Sequence, residues 1–535
     1  MHVKQKSIWI VSREYAGIAE AGGVKNVTTS LAETLIKYGF DVKVFIPQYG
    51  CYETNCLQKY TSLESFYANI SITDELYTVT YAQAESESES ESVPIVFVKN
   101  HIFSSKNAVY TYTSFDEKIN PLHRRGLGHI DSHVMNALFQ KAVLEYALLQ
   151  KTAPDIIHCQ DAAASMLPVY AREDIRIKMF FKKTSFVVTI HNAGPGYHHA
   201  YSSIDDAYRV TNLPHHVLMY GLSGGSVEPF LLASKYAVLT TVSPWYAQEI
   251  IDPLYPFTDG LSYQFARRNI TVEGILNAID YDRYDPSDTS KSLLCSPYNP
   301  SAGNITGKTA VRSCFLTKTK KGIMGQTDHE GRISKIEQFG SLACISNTPV
   351  VFGYHGRIVW QKGLEILVHA ARTILKDCEH ACFIIIGQGQ PEIEQMHIDI
   401  ANEFEGRYVY IRGYERSLAR ECIASSDFLV LPSVFEPCGL EDFIGQIFGT
   451  LPIAHAVGGL NKIAHEQTGF LYHDNSPEGL HCILKHIYNL FLAEPDKITQ
   501  MIKTAALRVR EEFTWDAIVS EQYIPLYEEI SKKNT

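Results

Sequence analysis

Long apolar runs are missing from this sequence: its 535 residues contain no run of eighteen consecutive apolar residues. A helix that crosses a membrane needs about twenty such residues, so we expect no membrane partner. The apolar run near the N-terminus, at 8–12, is shorter than the core of a signal peptide. We therefore expect this run to form a buried first strand and the protein to be cytoplasmic.

An excess of positive charge is also missing. The chain has 48 Lys and Arg against 59 Asp and Glu, which gives a net charge of −11. This negative balance argues against a protein that binds nucleic acid or anionic membranes through its overall charge. The eleven cysteines are scattered singly, with no second pair at metal-site spacing. We expect reduced cysteines and no metal.

Strands and helices alternate along the chain. A glycine turn at 21–24 separates the first strand from a helix predicted over 26–38, and a strand follows at 41–47. Further short apolar runs are typical of buried parallel strands and lie at 155–159, 185–190, 238–242, 349–353, 383–389, 408–411 and 428–432. The alternation predicts an α/β fold with two doubly wound, Rossmann-like domains.

The same pattern suggests domain boundaries. We predict an N-terminal domain over 1–282 and a C-terminal domain over 346–509. Residues 283–345 are poor in periodicity and rich in polar residues, so we interpret them as connector and insertion. Residues 85–92 repeat Glu-Ser four times, which predicts a solvated loop between two strands.

Ten short segments together resemble the glycogen and starch synthase family of retaining glycosyltransferases. Each is weak alone, but ten in the family's order make an accidental match rare. They are EAGGV at 20–24, HCQD at 158–161, TIHN at 189–192, TVSP at 241–244, GILNAID at 274–280, RIVWQKGL at 357–364, FEPCGL at 435–440, GTLP at 449–452, GGL at 458–460 and TGF at 468–470.

The resemblance implies the GT-B fold, in which two Rossmann-like domains face a central cleft and the last helix, here 510–535, crosses back onto the first domain. It also implies transfer of glucose from ADP-glucose to the non-reducing end of a glycogen-like α-1,4-glucan, with retention and without a cofactor. UDP-glucose is the alternative donor. The domain 346–509 is then the nucleotide-sugar-binding domain, and the domain 1–282 lies on the acceptor side.

The predicted catalytic residues are two cations, a carboxylate and a histidine. Arg357 and Lys362 lie five residues apart at the start of a predicted helix, where the helix N-terminus favours anions. The resemblance implies that both meet the charge on the leaving diphosphate. It places Glu436 against the donor sugar and His191 near the sugar's hydroxymethyl group. A helix-capping Glu436 and a core His191 are the structural alternatives.

The predicted donor-binding residues lie mostly in glycine turns, where the backbone can approach a phosphate or sugar closely. They are Gly22, Gly23, Glu20, Cys438, Gly439, Leu440, Gly458, Gly459, Gly387 and Tyr414. The acceptor side is predicted at Asp161 and Asn277, with a helix N-cap as the alternative for Asp161.

Four pairs of residues depart from the family's pattern. Each replaces a polar, cationic or aromatic pair of the family, and they are Glu20 and Ala21, Ala162 and Ala163, Glu441 and Asp442, and Ala456 and Val457. Glu20 stands where the family has a lysine, so an anion takes the place of a cation that faces the nucleotide sugar. The charges of Glu441 and Asp442 suit a helix start but would repel a diphosphate.

Three functional interpretations stay open. The first is a working synthase whose donor site is retuned, and retention of Arg357, Lys362 and Glu436 favours it. The second is a catalytically degenerate homologue that binds glucan or has a regulatory role, and Glu20 is its strongest support. The third is a GT-B glycosyltransferase with another donor or acceptor.

Overall fold

The computed structural model describes residues 5–52, 57–87, 91–323, 336–343 and 349–533. The chain divides into two compact units. The first comprises Met1–Asn277 together with Trp515–Thr535, and the second comprises Ala278–Thr514. Within the described ranges, no helix combines the length and the apolar composition that a membrane span requires.

The described residues of the first unit form a central sheet of nine strands. The strands of this unit are β1 (Ser7–Val11), β2 (Asp41–Pro47), β3 (Leu57–Ile72), β4 (Glu75–Ser86), β5 (Pro94–Lys99), β6 (Ile156–Gln160), β7 (Ser185–Ile190), β8 (Leu222–Ser223), β9 (Ser226–Val227), β10 (Val238–Thr241) and β11 (Glu273–Gly274). The sheet order is β11-β10-β7-β6-β1-β2-β5-β4-β3, while β8 and β9 form a separate hairpin. Within this sheet β4 pairs in antiparallel fashion with both β3 and β5. The other described pairs of the sheet are parallel.

Helices pack against both the parallel and the antiparallel part of this sheet. Those in the first unit before Asn277 are α1 (Val24–Lys37), α2 (His101–Ser104), α3 (Ser114–Ile119), α4 (Ser132–Gln150), α5 (Leu167–Glu173), α6 (Ile204–Thr211), α7 (His215–Leu218), α8 (Pro229–Ala233), α9 (Pro244–Ile251) and α10 (Leu261–Arg267). The first buried face of α1 comes from Val27, Leu31 and Leu35, at helical spacing. This arrangement matches the predicted start of the fold: strand, glycine turn, helix, strand.

The second unit has its own sheet, in the order β12-β15-β14-β13-β16-β17-β18. Its strands are β12 (Glu337–Ser341), β13 (Val350–His355), β14 (Ala381–Gly387), β15 (Tyr408–Arg412), β16 (Phe428–Leu431), β17 (Leu451–His455) and β18 (Phe470–Tyr472). Its helices are α11 (Thr289–Ser292), α12 (Thr306–Lys321), α13 (Leu364–Asp377), α14 (Pro391–Glu403), α15 (Arg416–Ser425), α16 (Glu441–Ile447), α17 (Pro477–Ala493) and α18 (Pro495–Glu512). Every residue of β14 is buried, as its continuous apolar run predicts. The predicted α/β class, with two mainly parallel sheets, is confirmed.

Residues 283–345 have more regular structure than their composition predicts. They contain α12, and β12 pairs antiparallel with β15 at the edge of the second sheet. The helix was hidden because two of its four buried positions are the polar residues Lys308 and Thr319. Residues 324–335 and 344–345 of this stretch lie outside the described residues.

The Glu-Ser repeat begins inside a strand. Glu85 and Ser86 end β4, and Ser86 is buried and hydrogen-bonded to Val93. The prediction of a solvated loop is therefore wrong for these first two positions, because β4 continues pairing with β5 as far as Glu85. Residues 88–90 lie outside the described residues.

The C-terminal segment belongs to the first unit. It consists of α19 (Trp515–Ile518), a π-helical turn and α20 (Ile524–Lys533). A buried hydrogen bond of 2.7 Å joins the Tyr527 hydroxyl to His158 Nδ1 in β6, and the Ser185 hydroxyl donates to the carbonyl oxygen of Ile530 over 3.1 Å. The first unit is thus built from both ends of the chain.

Candidate active site

The segment that follows β13 carries the two predicted phosphate-binding cations. Arg357 is exposed, two residues beyond the end of β13. Lys362 ends a single 3-10 turn, and Gly363 follows at the N-terminus of α13 with a φ of 66°. A Cβ at Gly363 would lie 1.9 Å from the carbonyl oxygen of Pro432, so only glycine fits. This close approach brings Lys362 to the segment that follows β16.

Lys362 and Glu436 form an ion pair there. The Ser433 hydroxyl donates to the same carboxylate oxygen over 3.2 Å. Burial opposes ionisation of Glu436, but the charge and hydrogen bond of Lys362 outweigh it and hold the pKa of the carboxyl below its usual value. Two predicted catalytic residues are thus in direct contact, and Glu436 is an anion at neutral pH.

Two glycine loops, 436–440 and 458–460, meet beside this ion pair. The amide of Gly459 donates to the carbonyl oxygen of Glu436 over 2.9 Å. A Cβ at Gly459 would lie 2.1 Å from the carbonyl oxygen of Cys438. The loops therefore touch at their backbones, which requires glycine at this position and fixes the main chain around Glu436.

The first glycine loop runs directly into α16. Gly439 has a φ of 74°, and Leu440 is the N-cap residue of the helix. The first helical residue, Glu441, lies 3.0 Å from Nδ1 of His355, and the exposed ring of Tyr414 lies 6.1 Å from the His355 ring. Burial disfavours the charged imidazole, but Glu441 outweighs it and raises the pKa of His355. Glu441 therefore has a partner that can neutralise it.

The charge of Asp442 is also balanced. Asp442 is fully buried, and its Oδ1 lies 2.8 Å from Nζ of Lys462, which is buried as well. Burial raises the pKa of Asp442 to about 6, against the effect of Lys462. The repulsion of a diphosphate by Asp442 stays a prediction, and Lys462 lies where it offsets that charge. Sequence reasoning missed Lys462, for which the available signal was a cation three residues after a glycine pair.

Gly387 lies against the segment that carries Arg357. A Cβ at Gly387 would lie 1.9 Å from the carbonyl oxygen of Gly356, and the Tyr410 hydroxyl donates to the Gly387 carbonyl oxygen over 3.2 Å. The Tyr354 hydroxyl donates to the carbonyl oxygen of Arg357 over 2.8 Å. Within the described residues, the guanidinium of Arg357 makes no hydrogen bond or ion pair, so its charge is free for a ligand.

The glycine turn of the first unit gives two amides to a buried carboxylate. The amides of Ala21 and Gly22 donate to one oxygen of Glu14 over 3.0 and 2.6 Å. A Cβ at Gly23 would meet nothing within 4 Å, so this side of the turn is open. Gly22 therefore offers close approach but not a free amide. Sequence reasoning missed Glu14, because nothing in its spacing indicates that the chain folds back onto it.

Glu20 is paired with a cation from the helix that follows this turn. One carboxylate oxygen lies 2.6 Å from Nζ of Lys25 in α1, and the other accepts from the amide of Gly17 over 2.8 Å. The anion predicted at this position of the loop is therefore offset by a neighbouring cation. Lys25 supplies positive charge from the opposite side of the glycine pair, a position at which the family resemblance gives no signal.

His191 and Asp161 meet at the ends of β7 and β6. His191 Nε2 lies 2.8 Å from the Gln160 amide oxygen, and burial lowers the pKa of the imidazole to about 4, so the ring is neutral at pH 7. Asp161 has a φ of 64°, and the backbone amides of Ala162 and His191 act to lower the pKa of its carboxyl. Burial nonetheless raises the pKa of Asp161 to about 7. A strained residue with a shifted pKa is typical of a functional site.

The remaining positions of the first unit are buried. Ala162 and Ala163 lie in a buried 3-10 turn. The backbone amide of Asn277 donates to the carbonyl oxygen of Val242 over 3.2 Å. In the described part of the chain, its side-chain oxygen is buried and has no hydrogen-bond partner. Contacts link Asn277 to Val242 and Asp161 to His191, but none joins these two pairs.

The structure thus sorts the predicted residues into clusters within each unit. In the second unit, seven predicted residues lie together at or beside the ion pair: Lys362, Glu436, Cys438, Gly439, Leu440, Gly458 and Gly459. Gly387 borders the Arg357 segment, Tyr414 borders His355, and Ala456 and Val457 lead into the second glycine loop. In the first unit, Gly22, Gly23 and Glu20 share one turn, and His191 and Asp161 form another cluster.

Two family models match the chain. Residues 7–264 match the starch synthase catalytic domain, and residues 349–489 match glycosyl transferases group 1. The chain is 27% identical to a glycogen synthase of Thermodesulfovibrio yellowstonii, over 97% of this chain and 96% of that protein. It is 28% identical to a glycogen synthase of Cellvibrio japonicus, over 89% and 91% of the two chains.

Solved structures match over the whole length as well. The catalytic domain of starch synthase IV from Arabidopsis thaliana, bound to ADP and acarbose, has a TM-score of 0.79 at 22% identity and covers 99% of each chain. Sucrose-phosphate synthase from Thermosynechococcus elongatus has a TM-score of 0.56 at 15% identity, over 99% of this chain and 100% of that one. At these identities the likeness concerns the fold, which is GT-B.

Proposed function

Since the chain belongs to the glycogen and starch synthase family of glycosyltransferases, we propose that it transfers glucose from ADP-glucose to the non-reducing end of an α-1,4-glucan with retention of configuration. The observation that carries this proposal is the ion pair of Lys362 and Glu436. It joins the segment that follows β13 to the first of the two glycine loops, which touch each other at their backbones. This arrangement favours a working enzyme over a degenerate homologue.

Arg357 and Lys362 take up the charge of the leaving diphosphate. Fixed cations that meet developing charge lower a reaction barrier more than flexible ones, because they need no reorganisation. Lys362 is held by Glu436, and the Arg357 guanidinium has no protein partner in the described ranges. A planar guanidinium can bind a phosphate through two hydrogen bonds, whereas the ammonium acts as a point charge. No metal is required for this step.

Glu436 and His191 contact the donor sugar in this proposal. An ionised Glu436 can accept hydrogen bonds from sugar hydroxyls and stabilise positive charge that develops on the anomeric carbon. A neutral His191 can exchange a hydrogen bond with the hydroxymethyl group without adding charge. The strained Asp161 beside His191 is assigned to the acceptor side.

Three carboxylates that differ from the family's pattern are each paired, which supports a working enzyme over a degenerate one. Glu20, Glu441 and Asp442 each have a cationic or protonatable partner within their own unit. None of them leaves an isolated negative charge that would repel a diphosphate. A changed base or acceptor is the second candidate, because Ala162 and Ala163 leave no aromatic surface or polar donor at those positions.

The decisive experiment measures radiolabelled glucose incorporated into glycogen from ADP-glucose, with UDP-glucose in parallel and Lys362→Ala as the blank. Incorporation from ADP-glucose alone supports the proposal, and incorporation from UDP-glucose corrects the donor. Nuclear magnetic resonance of the new linkage then distinguishes retention from inversion. Glycogen binding without incorporation from either donor contradicts the proposal and favours a non-catalytic glucan-binding protein.

A further inference from the structure

Lys462 and Asp442 form an ion pair that is almost completely withdrawn from water. Their side chains are 1% and 0% exposed, and no other ion pair in the described ranges is so deeply buried on both sides. Burying two charges is unfavourable unless further hydrogen bonds satisfy them. Since a pair of apolar residues would fill the same space at least as well, the charges need another explanation.

The hydrogen bonds of Lys462 supply one. Its ammonium donates to the carbonyl oxygens of Cys438 and Gly439 over 2.7 and 2.8 Å and to that of Gly459 over 3.1 Å. The first two carbonyls belong to one glycine loop and the third belongs to the other. An ammonium has three N–H donors, so the three loop carbonyls use its whole hydrogen-bonding capacity, and Asp442 balances its charge as an ion pair.

Two further contacts connect this cluster to the ion pair of the site. The Gly459 amide donates to the Glu436 carbonyl oxygen over 2.9 Å, so a shift of the second loop moves the main chain of Glu436. Burial raises the pKa of the Glu436 carboxyl, whereas Lys362 and, to a smaller extent, the charge of Lys462 lower it. Lys462 thus acts on the position and on the charge state of Glu436.

We propose that Lys462 is a positioning residue for glucosyl transfer: its ammonium, balanced by Asp442, holds the two glycine loops at the separation that the donor diphosphate and Glu436 require. The role of Asp442 is to let this cation stay buried. This inference rests on the proposed function for its catalytic consequence, whereas its structural half concerns the loops alone.

A neutral pair of substitutions separates positioning from stability. Lys462→Met alone leaves Asp442 without its counter-ion, but Lys462→Met with Asp442→Leu removes both charges and keeps the volume. Replacing a buried pair with apolar residues is often neutral for stability. We expect the double variant to melt near the wild-type temperature while kcat falls about tenfold or more, since transition-state positioning is lost. The matched control, Lys318→Met with Glu421→Leu, removes an ion pair of the same unit that touches neither loop.

Hydrogen exchange, read by mass spectrometry on peptides that cover 436–442 and 456–463, gives a readout that needs no substrate. We expect exchange in these peptides to accelerate about tenfold or more in the double variant and to stay unchanged in the control. Unchanged exchange together with unchanged kcat overturns the proposal. If the double variant does not fold, Asp442→Asn removes the counter-ion of Lys462 and must accelerate exchange in the same two peptides; unchanged exchange overturns the proposal. A wild type without transfer contradicts the proposed function but leaves the exchange result to decide the positioning role.

Discussion

Lys362 and Glu436 form an ion pair although 74 residues separate them along the chain. The contact depends on Gly363, whose missing side chain lets the turn before α13 approach Pro432. A cation and a carboxylate that a donor sugar would need are therefore placed by backbone packing.

Replacing Lys362 tests the central assignment. We expect Lys362→Ala to lower kcat by about a hundredfold or more, because one fixed donor to developing charge is typically worth that much. Circular dichroism should show a fold close to wild type, since Lys362 is not part of the core. The control is Lys376→Ala on α13, which removes an exposed lysine from a loose ion pair with Glu403 and should leave transfer unchanged. Full activity of Lys362→Ala would refute the assignment.

The charge of Glu20 can be removed while its hydrogen bond to Gly17 is kept. We expect Glu20→Gln to lower the KM for the nucleotide sugar by about two- to fivefold, because Lys25 is released from its pair and one negative charge is lost near the diphosphate. Lys25→Met should raise the same KM. If neither substitution changes KM, this turn does not face the donor.

Asp161 predicts an unusual dependence of stability on pH. Burial raises its pKa from 3.8 to about 7, so the folded protein holds a proton that the unfolded chain releases. The stabilisation from this group is complete below pH 3.8 and is lost as the pH rises through 7. We expect Asp161→Asn to raise the free energy of unfolding at pH 8 by on the order of 2 kcal/mol, with less gain at pH 5. Urea titrations at both pH values measure this difference; an equal gain at both would contradict the shifted pKa.

The same substitution should reduce activity. Residues held in a strained backbone with a destabilising charge are retained where function needs them. A variant that is more stable and transfers less glucose would support the acceptor-side role of Asp161. A more stable variant with full activity would limit Asp161 to the architecture of the loop.

Tyr527 tests the attachment of the C-terminal segment. We expect Tyr527→Phe to lower the free energy of unfolding by about 1–3 kcal/mol, because a buried ring nitrogen of His158 loses its partner. Tyr38→Phe is the control, since its exposed hydroxyl makes only a 3.4 Å hydrogen bond to Asp516. Equal effects of the two substitutions would show that the buried hydrogen bond contributes no special stability.

Metal removal addresses the proposed role of the cations. We expect initial rates of glucosyl transfer to be the same before and after dialysis against a chelator, because Arg357 and Lys362 meet the diphosphate charge themselves. A rate that falls on chelation and returns with added Mg²⁺ would show that these two residues do not suffice.

The sequence predicted the strands better than the charge pairs. Continuous apolar runs such as β14 bury the same residues in almost any parallel sheet, so their assignment needs no knowledge of neighbours. The partner of a charged residue depends on which loops meet in space. Glu14, Lys25 and Lys462 were missed for this reason: each balances or binds a predicted position, but none stands at a recognisable motif position.

The helix α12 was not predicted from the sequence for a different reason. Its buried face includes Lys308, whose ammonium donates to the Phe448 carbonyl oxygen and the Thr450 hydroxyl. A lysine at a core position breaks the apolar periodicity on which helix prediction depends. Burial lowers the pKa of this lysine well below its usual value, which no pattern of neighbouring residues indicates.

The position of Trp515–Thr535 has a consequence for synthesis on the ribosome. The first unit receives α20 only after all of the second unit has been synthesised, since α20 supplies Tyr527 to His158 and Ile530 to Ser185. The second unit, whose residues are contiguous, can finish folding earlier. A nascent chain therefore carries an incomplete first unit until α20 has been synthesised, with β6 and β7 lacking these hydrogen bonds. Termination before Trp515 should thus yield a protein that chaperones and proteases treat as unfinished, although its predicted donor-binding residues have all been made.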